Sequence, residues 1–272
     1  MPRFKAAMVA TPVKARFEAV AREDFARVLT ILRELGFDGI EVSVLEPEQL
    51  LFSAAMAKEY SLEIPAVGTG LNFLHYGLSL SHPDPGVRER TYERLRQITE
   101  SAAQVGAGGV IIGLIRGRGD EAPSLETAYE LLRRQLAMLC KHAESQGVKL
   151  FFEPLNRYES KLVNTVAEGL RLLEDVGCEV LYLLLDTFHM NIEERIIEDS
   201  IRQAGPRIGH FHIADSNRLA PGLGHLNFGS ILAALADTGY AGYVSAEVIV
   251  KPDLETAARL TANVLRITTS GL

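Results

Sequence analysis

Four short apolar runs in the second half of the chain each end on a residue able to hold a metal ion or move a proton. "KLFFEPL" reaches Glu153, "LYLLLDT" reaches Asp186, "RIGHFHIAD" carries His212 and "YVSAEVI" reaches Glu247. Taken singly, each has an ordinary reading. Asp186 stands before a helical stretch and can cap it by accepting backbone N–H bonds, and His212 can be a plain sheet histidine. The set says more than its members. Three carboxylates and an imidazole brought to one place repel one another unless a cation is held among them, and so oxygen-rich a set favours Mn(II), Mg(II) or Co(II).

That chemistry requires the four runs to be strands whose same ends meet. Four earlier runs, "KAAMVAT", "GIEVSV", "IPAVGTG" and "GVIIGLI", bring the total to eight, and each is followed by a longer stretch of helical period. Alternation of this kind is the pattern of βα units around a parallel sheet. In "DFARVLTILRELGFDG", Asp24 can cap the helix, apolar residues recur at three and four, and Gly36 can close it. Eight units in 272 residues with no Pro/Ser-rich linker predict an α/β chain forming a single (β/α)8 TIM barrel over residues 1–272. In that fold the C-terminal strand ends share one mouth, where chemistry is done. A doubly wound open sheet is the alternative, but it usually carries a Gly-rich phosphate turn after its first strand, and "VATPVKARF" has none. "GAGG" at 106–109 precedes a strand and reads as a helix stop.

A net charge of -7 argues against a nucleic-acid surface and suits a small-molecule ligand. No apolar run approaches membrane-spanning length and "MPRFKAAMVATPVKARF" lacks the apolar core of a signal peptide, so a cytoplasmic protein is expected. Cys140 and Cys178 form no CxxC pattern and are read as reduced structural thiols.

Along "EPLNRYE" (Glu153 to Glu159), "DTFHMNIEE" (Asp186 to Glu194), "GHFHIADSNRLAPGLGHLNF" (Gly209 to Phe228) and "SAEVIV" (Ser245 to Val250), the sequence resembles the D-tagatose 3-epimerase and D-allulose 3-epimerase family of xylose-isomerase-like barrels. The resemblance implies that Glu153, Asp186, His212 and Glu247 hold a divalent metal, Mn(II) being favoured. It also implies that Glu159, His189 and Arg218 contact substrate hydroxyls and that the protein assembles as dimers or tetramers. Otherwise His189 reads as a helix-start histidine, and Arg218 and Glu159 as loop residues. The implied reaction inverts the carbon beside a ketone by removing a weakly acidic C–H proton, passing through an enediolate and returning a proton to the other face. A metal acting as Lewis acid would stabilise that charge, and Glu153 and Glu247 would exchange the roles of base and acid.

"IRGRGDEAPS" follows the fourth run and places Arg116 and Arg118 in a loop at the catalytic end, where two guanidinium groups suit a carboxylate or phosphate. A solvated loop, or ion pairs with neighbours such as Asp120 and Glu121, is the competing reading. "AVGTGLNFL", "GLSLSHPD" and "IIGLIRGRG" are most similar to the 5-keto-L-gluconate epimerase branch, which implies first a keto-aldonic acid converted to D-tagaturonate, with 3-epimerisation of a neutral ketohexose such as D-tagatose or D-allulose as the alternative. The loop "GLNFLHYGLSLSHPD" can cover the mouth, although ordinary packing is expected of Phe73, His75 and Tyr76. Two other classes use similar barrels: an apurinic endonuclease-like hydrolase, for which His75, His82, His142 and His225 supply no convincing further metal sites, and a non-catalytic sugar-binding barrel.

Overall fold

The computed structural model describes residues 4–270, with side chains to residue 266, so the expected span of 1–272 reaches beyond the described residues at both ends. Eight strands form a closed parallel barrel in sequence order: β1 (Lys5–Ala10), β2 (Glu41–Ser43), β3 (Val67–Gly68), β4 (Gly109–Ile112), β5 (Lys149–Phe152), β6 (Leu181–Asp186), β7 (Ile208–Ile213) and β8 (Tyr243–Ala246). β8 pairs with β1 and closes the ring, with Met8 opposite Ala246. Each expected run contains one of these strands. The short, nearly all-apolar strands follow from burial on both faces, helices outside and barrel interior within.

The helices form where the punctuation places them. Asp24 accepts from the Arg27 N–H and starts the helix Phe25–Glu34, whose Val28, Leu29 and Leu32 are buried. Burying each of those side chains contributes roughly 1.5–3 kcal/mol. Gly36 follows with φ +72°, and Gly106 ends the helix Pro85–Val105 in the same left-handed conformation, so "GAGG" is a helix stop. Among the described residues no helix is long and apolar enough to cross a membrane.

The apolar core divides in two. The larger part lies between sheet and helices, and the smaller, Ala66, Ile111, Phe151 and Leu184 with Tyr182 against it, plugs the barrel interior. The plug closes the barrel beneath the mouth, so polar inward residues near the C-terminal strand ends sit on an apolar floor.

Two expectations need correction. The segment after β3 contains a short helix, Gly70–Tyr76, held by Asn72 donating to the Val44 carbonyl and closed by left-handed Gly77. Cys140 and Cys178 are joined in a disulfide, with Cα atoms 6.3 Å apart. The helix Leu125–Gln146 carries Cys140 on its buried face and packs beside the helix Val166–Val176, which Cys178 closely follows. This proximity across 38 residues has no local sequence signal.

Candidate active site

The register of β6 and β7 decides which residues face the mouth. Leu183 pairs with Ile208, both packed outward, yet Leu184 pairs with His210, so Gly209 is the extra residue of a one-residue shift. A shift of one exchanges the two faces of a strand. Gly209 already faces the interior, toward Tyr182 and Phe151, so without the shift Phe211 would be the next residue to turn inward. With it, His210 and His212 do, and Asp186 pairs with His212, which pairs with Ser245. Glu247 lies two residues beyond Ser245 and so shares its inward face. The shift requires glycine, because a Cβ at 209 would lie 2.5 Å from Tyr182 Cβ and 2.7 Å from a Phe151 ring carbon.

Glu153 follows β5 directly, and Gly113 after β4 leaves room for it: a Cβ there would stand 2.6 Å from Glu153 Oε2. Ligand-type atoms of Glu153, Asp186, His189 and Glu247 all lie within 4.8 Å of one another. His212 Nδ1 is 3.8 Å from Glu153 Oε1 and 4.0 Å from Glu247 Oε1, while His189 Nε2 is 3.8 Å from Glu153 Oε1 and 3.9 Å from Asp186 Oδ2. Glu153 Oε1, Asp186 Oδ2, His189 Nε2 and His212 Nδ1 are buried and have no hydrogen-bond partner. Buried polar atoms are nearly always paired, so this convergence of carboxylate and imidazole atoms fits a divalent cation.

The two histidines differ in what they present. The Asn156 backbone N–H points at His189 Nδ1 at 3.3 Å, and a backbone N–H can only donate. Nδ1 therefore accepts, and the neutral ring carries its proton on Nε2, turned to the centre as a donor. His212 has the reverse arrangement: its Nε2 lies 3.0 and 3.1 Å from the Glu41 carboxylate, leaving Nδ1 to face the centre.

Electrostatics agree with the geometry. Burial, reinforced by Glu247, pushes the Glu153 carboxyl well above its ordinary range. Burial pushes Asp186 up as well, and it raises Glu247 to about 7 despite the opposing charges of Arg218 and His212. Burial works against the His212 cation, but Glu41 outweighs it and lifts His212 to about 10. His189 is driven well below its usual value by burial and by Arg218. A cation at the centre would remove the cost of ionising these carboxyls.

Arg218 has φ +62°, a left-handed backbone rare outside glycine. Its guanidinium donates to Glu159 Oε1 at 2.8 Å and to Glu247 Oε2 at 2.6 Å, with the Phe188 ring 4.7 Å away. The loop presenting it is organised by buried Asp215, which accepts from the backbone N–H groups of Ser216, Gly222 and Leu226. Above the centre is a small cavity of about 40 Å³ with Glu159, His189 and Arg218 on its polar side and Phe17, Leu71 and Leu74 among its apolar wall.

The structure thus gathers Glu153, Asp186, His212, Glu247, His189, Glu159 and Arg218 at one mouth. Arg116 and Arg118 do not line the cavity. Arg116 is fully buried, its Nη1 donates to the Glu153 carbonyl oxygen at 2.6 Å, and its guanidinium lies 4.8 Å from the Phe152 ring centre. Arg118 is exposed and lies over the Phe73 ring. Among the described residues, His75, His82, His142 and His225 join no metal-type cluster. Sequence reasoning missed Glu41, Asn156, His210 and Asp215. An acid inside the buried run "GIEVSV" was the available signal for Glu41.

A family model described as xylose isomerase-like TIM barrel matches residues 29–268. The L-ribulose 3-epimerase of Mesorhizobium japonicum is 36% identical over 233 residues, which covers 84% of this chain and 76% of the relative. The crystal structure of D-allulose 3-epimerase from Methylomonas sp. aligns with a TM-score of 0.84 at 25% identity, covering 98% of this chain and 99% of the other. A structure of L-ribulose 3-epimerase aligns with a TM-score of 0.83 at 30% identity, covering 98% and 94%. With eight strands closed in order and a polar cluster at their C-terminal ends, the chain belongs to the xylose isomerase-like TIM barrel family and, within it, to the sugar epimerases.

Proposed function

We propose that this protein is a divalent-metal-dependent ketose 3-epimerase, inverting the carbon beside the ketone of a neutral keto sugar. The observation that carries this reading is the set of unpartnered buried atoms of Glu153, Asp186, His189 and His212 facing one point beneath a small cavity lined by Glu159 and Arg218, with Glu247 beside them. Glu153, Asp186, His212 and Glu247 hold the metal, and Mn(II) suits this set, as do Mg(II) and Co(II). When bound, the ion supplies Lewis-acid stabilisation of the charge that develops on the ketone oxygen.

The chain's own residues do the rest. Glu153, after β5, and Glu247, after β8, form the acid–base pair: one carboxylate takes the proton from the carbon and the other returns a proton to the opposite face. His189 offers its Nε2–H to a substrate oxygen. Arg218 and Glu159, already paired, orient neighbouring hydroxyls, and Arg218 also favours the ionised form of Glu247. The apolar wall excludes water from the reacting carbon. L-ribulose and D-allulose, named for the similar proteins, are neutral ketoses and support this reading.

A second reading is the epimerisation of 5-keto-L-gluconate to D-tagaturonate, favoured by the likeness of "AVGTGLNFL", "GLSLSHPD" and "IIGLIRGRG" to that branch and by Arg218 as a cation in the cavity wall. It receives no support from Arg116 or Arg118 where they now lie. The Mn(II)-loaded protein is expected to exchange solvent deuterium into the carbon beside the ketone of L-ribulose or D-allulose. Exchange with 5-keto-L-gluconate alone would select the second reading, and no exchange with any keto sugar would reject both.

A further inference from the structure

Behind His212, two buried side chains remain that the proposed reaction does not use. Glu41 on β2 and His210 on β7 are 1% and 2% exposed, with His210 at the level of the apolar plug, where it pairs with Leu184. His210 Nε2 lies 2.8 Å from Glu41 Oε2, and His212 Nε2 lies 3.0 Å from the same oxygen. We infer that Glu41, anchored by His210, is a positioning residue that fixes His212 with its Nδ1 lone pair aimed at the metal centre. The inference rests on the metal reading above.

The same three side chains have the composition of a separate metal site, but their spacing opposes it. Ligands around a tetrahedral ion stand roughly 3.4 Å apart, from metal–nitrogen distances of about 2.1 Å. Here the nitrogens approach Glu41 at hydrogen-bond distance, and neither Nε2 lacks a partner. The unpartnered atom is His212 Nδ1, on the opposite edge of the ring.

A carboxylate accepts and does not donate, so Glu41 draws a proton to Nε2 of each ring. In neutral His212 that leaves Nδ1 bare, in the form a metal requires, and holds the ring plane. His210 completes the arrangement. Its ring stacks on Phe151 at 5.5 Å and meets His212 edge-on at 5.2 Å, so it is itself held in place while giving Glu41 a second donor. A buried carboxylate with one partner would be costly and free to swing, and two donors from residues spaced by two on β7 remove both problems. The register shift at Gly209 is what turns both rings inward to meet Glu41.

The test uses the full chain stripped of metal, with Mn(II) affinity measured by calorimetry for the parent and for Glu41→Gln, Glu41→Asp and His210→Phe. Nitrogen-15 spectra of the metal-free proteins at alkaline pH, where His212 is neutral, read its tautomer, because an ion on Nδ1 would by itself fix the proton on Nε2. Glu41→Gln is expected to weaken Mn(II) binding by about 10- to 100-fold and to mix the tautomers. Glu41→Asp should restore part of the loss, and His210→Phe, which keeps the stack but removes the donor, should weaken binding less than Glu41→Gln. If Glu41→Gln does not fold, His210→Phe decides by the same two readings. Unchanged Mn(II) affinity in a folded variant, or a loss with the His212 tautomer unaltered, overturns the inference alone. A parent chain that binds no divalent ion brings down the metal reading and this inference with it.

Discussion

In the proposed reaction Glu153 and Glu247 carry a double demand, since each must stay ionised to hold a metal yet pass a proton to or from carbon. Glutamine at either position keeps the size and one oxygen but removes the exchangeable proton. Glu153→Gln and Glu247→Gln are each expected to lower turnover by about 10³-fold while leaving the far-ultraviolet circular dichroism unchanged. Loss of less than an order of magnitude at both would sink the acid–base assignment. Arg116 and Arg118 make a sharper pair. Arg116 ties the backbone at Glu153 from a fully buried position, and Arg118 lies exposed over Phe73. Arg116→Gln should reduce turnover on a neutral ketose and on 5-keto-L-gluconate alike, and Arg118→Gln should change neither. A loss confined to the acid in steady-state assays would return both arginines to substrate binding. The strand-end acids were legible because residue type and position coincide there. Glu41, Asn156 and His210 were not, because their roles arise from contacts spanning 33 to 171 residues that no local pattern encodes.

At the scale of elements, two devices place the site: the shifted pairing of β6 with β7 and the loop gathered around Asp215. A methyl group at position 209 has no room between Tyr182 and Phe151, so Gly209→Ala should destabilise the fold by about 1–3 kcal/mol, the usual cost of overpacking. Because the same strand carries His210 and His212, metal affinity should fall as well. Denaturant midpoints and Mn(II) titration of this variant check both effects, and a variant equal to the parent in each would show that the shift is not what turns His212 inward. All eight strands could be read from alternation of apolar runs with helical stretches, since burial on both faces leaves a strong compositional trace. The helix Gly70–Tyr76 left none: it has seven residues, begins on glycine and depends on Asn72 reaching the Val44 carbonyl. The β6–β7 shift was equally hidden, because only pairing reveals which residue is extra.

On the scale of the whole molecule, the disulfide and the metal centre each tie distant parts of the chain, and the second ties them in a way that depends on pH. Glu247 titrates at about 7 in the fold against an ordinary 4.5, so the metal-free fold keeps a proton that the unfolded chain has lost. The stability this contributes is complete below the ordinary value and disappears as pH rises through 7. Raised Glu153 and Asp186 act with the same sign. His212, raised from 6.5 to about 10, holds its contribution to higher pH and loses it as pH climbs through 10. The metal-free protein should therefore lose stability from these groups across neutral and alkaline pH. As proposed ligands of a divalent ion, those same groups must give up their protons, so its binding is opposed where they are protonated and strengthens as pH rises. Both effects widen the gap between metal-loaded and metal-free protein in the same direction. The increase in melting temperature on adding Mn(II) should be small near about pH 5.5 and grow steadily toward about pH 8.5, with protons released on binding. Paired thermal melts across that range, with proton release followed in weak buffer, give the reading. An increment that stays constant with pH would mean that the ion does not displace protons from these carboxyls and His212, and would remove them as its ligands.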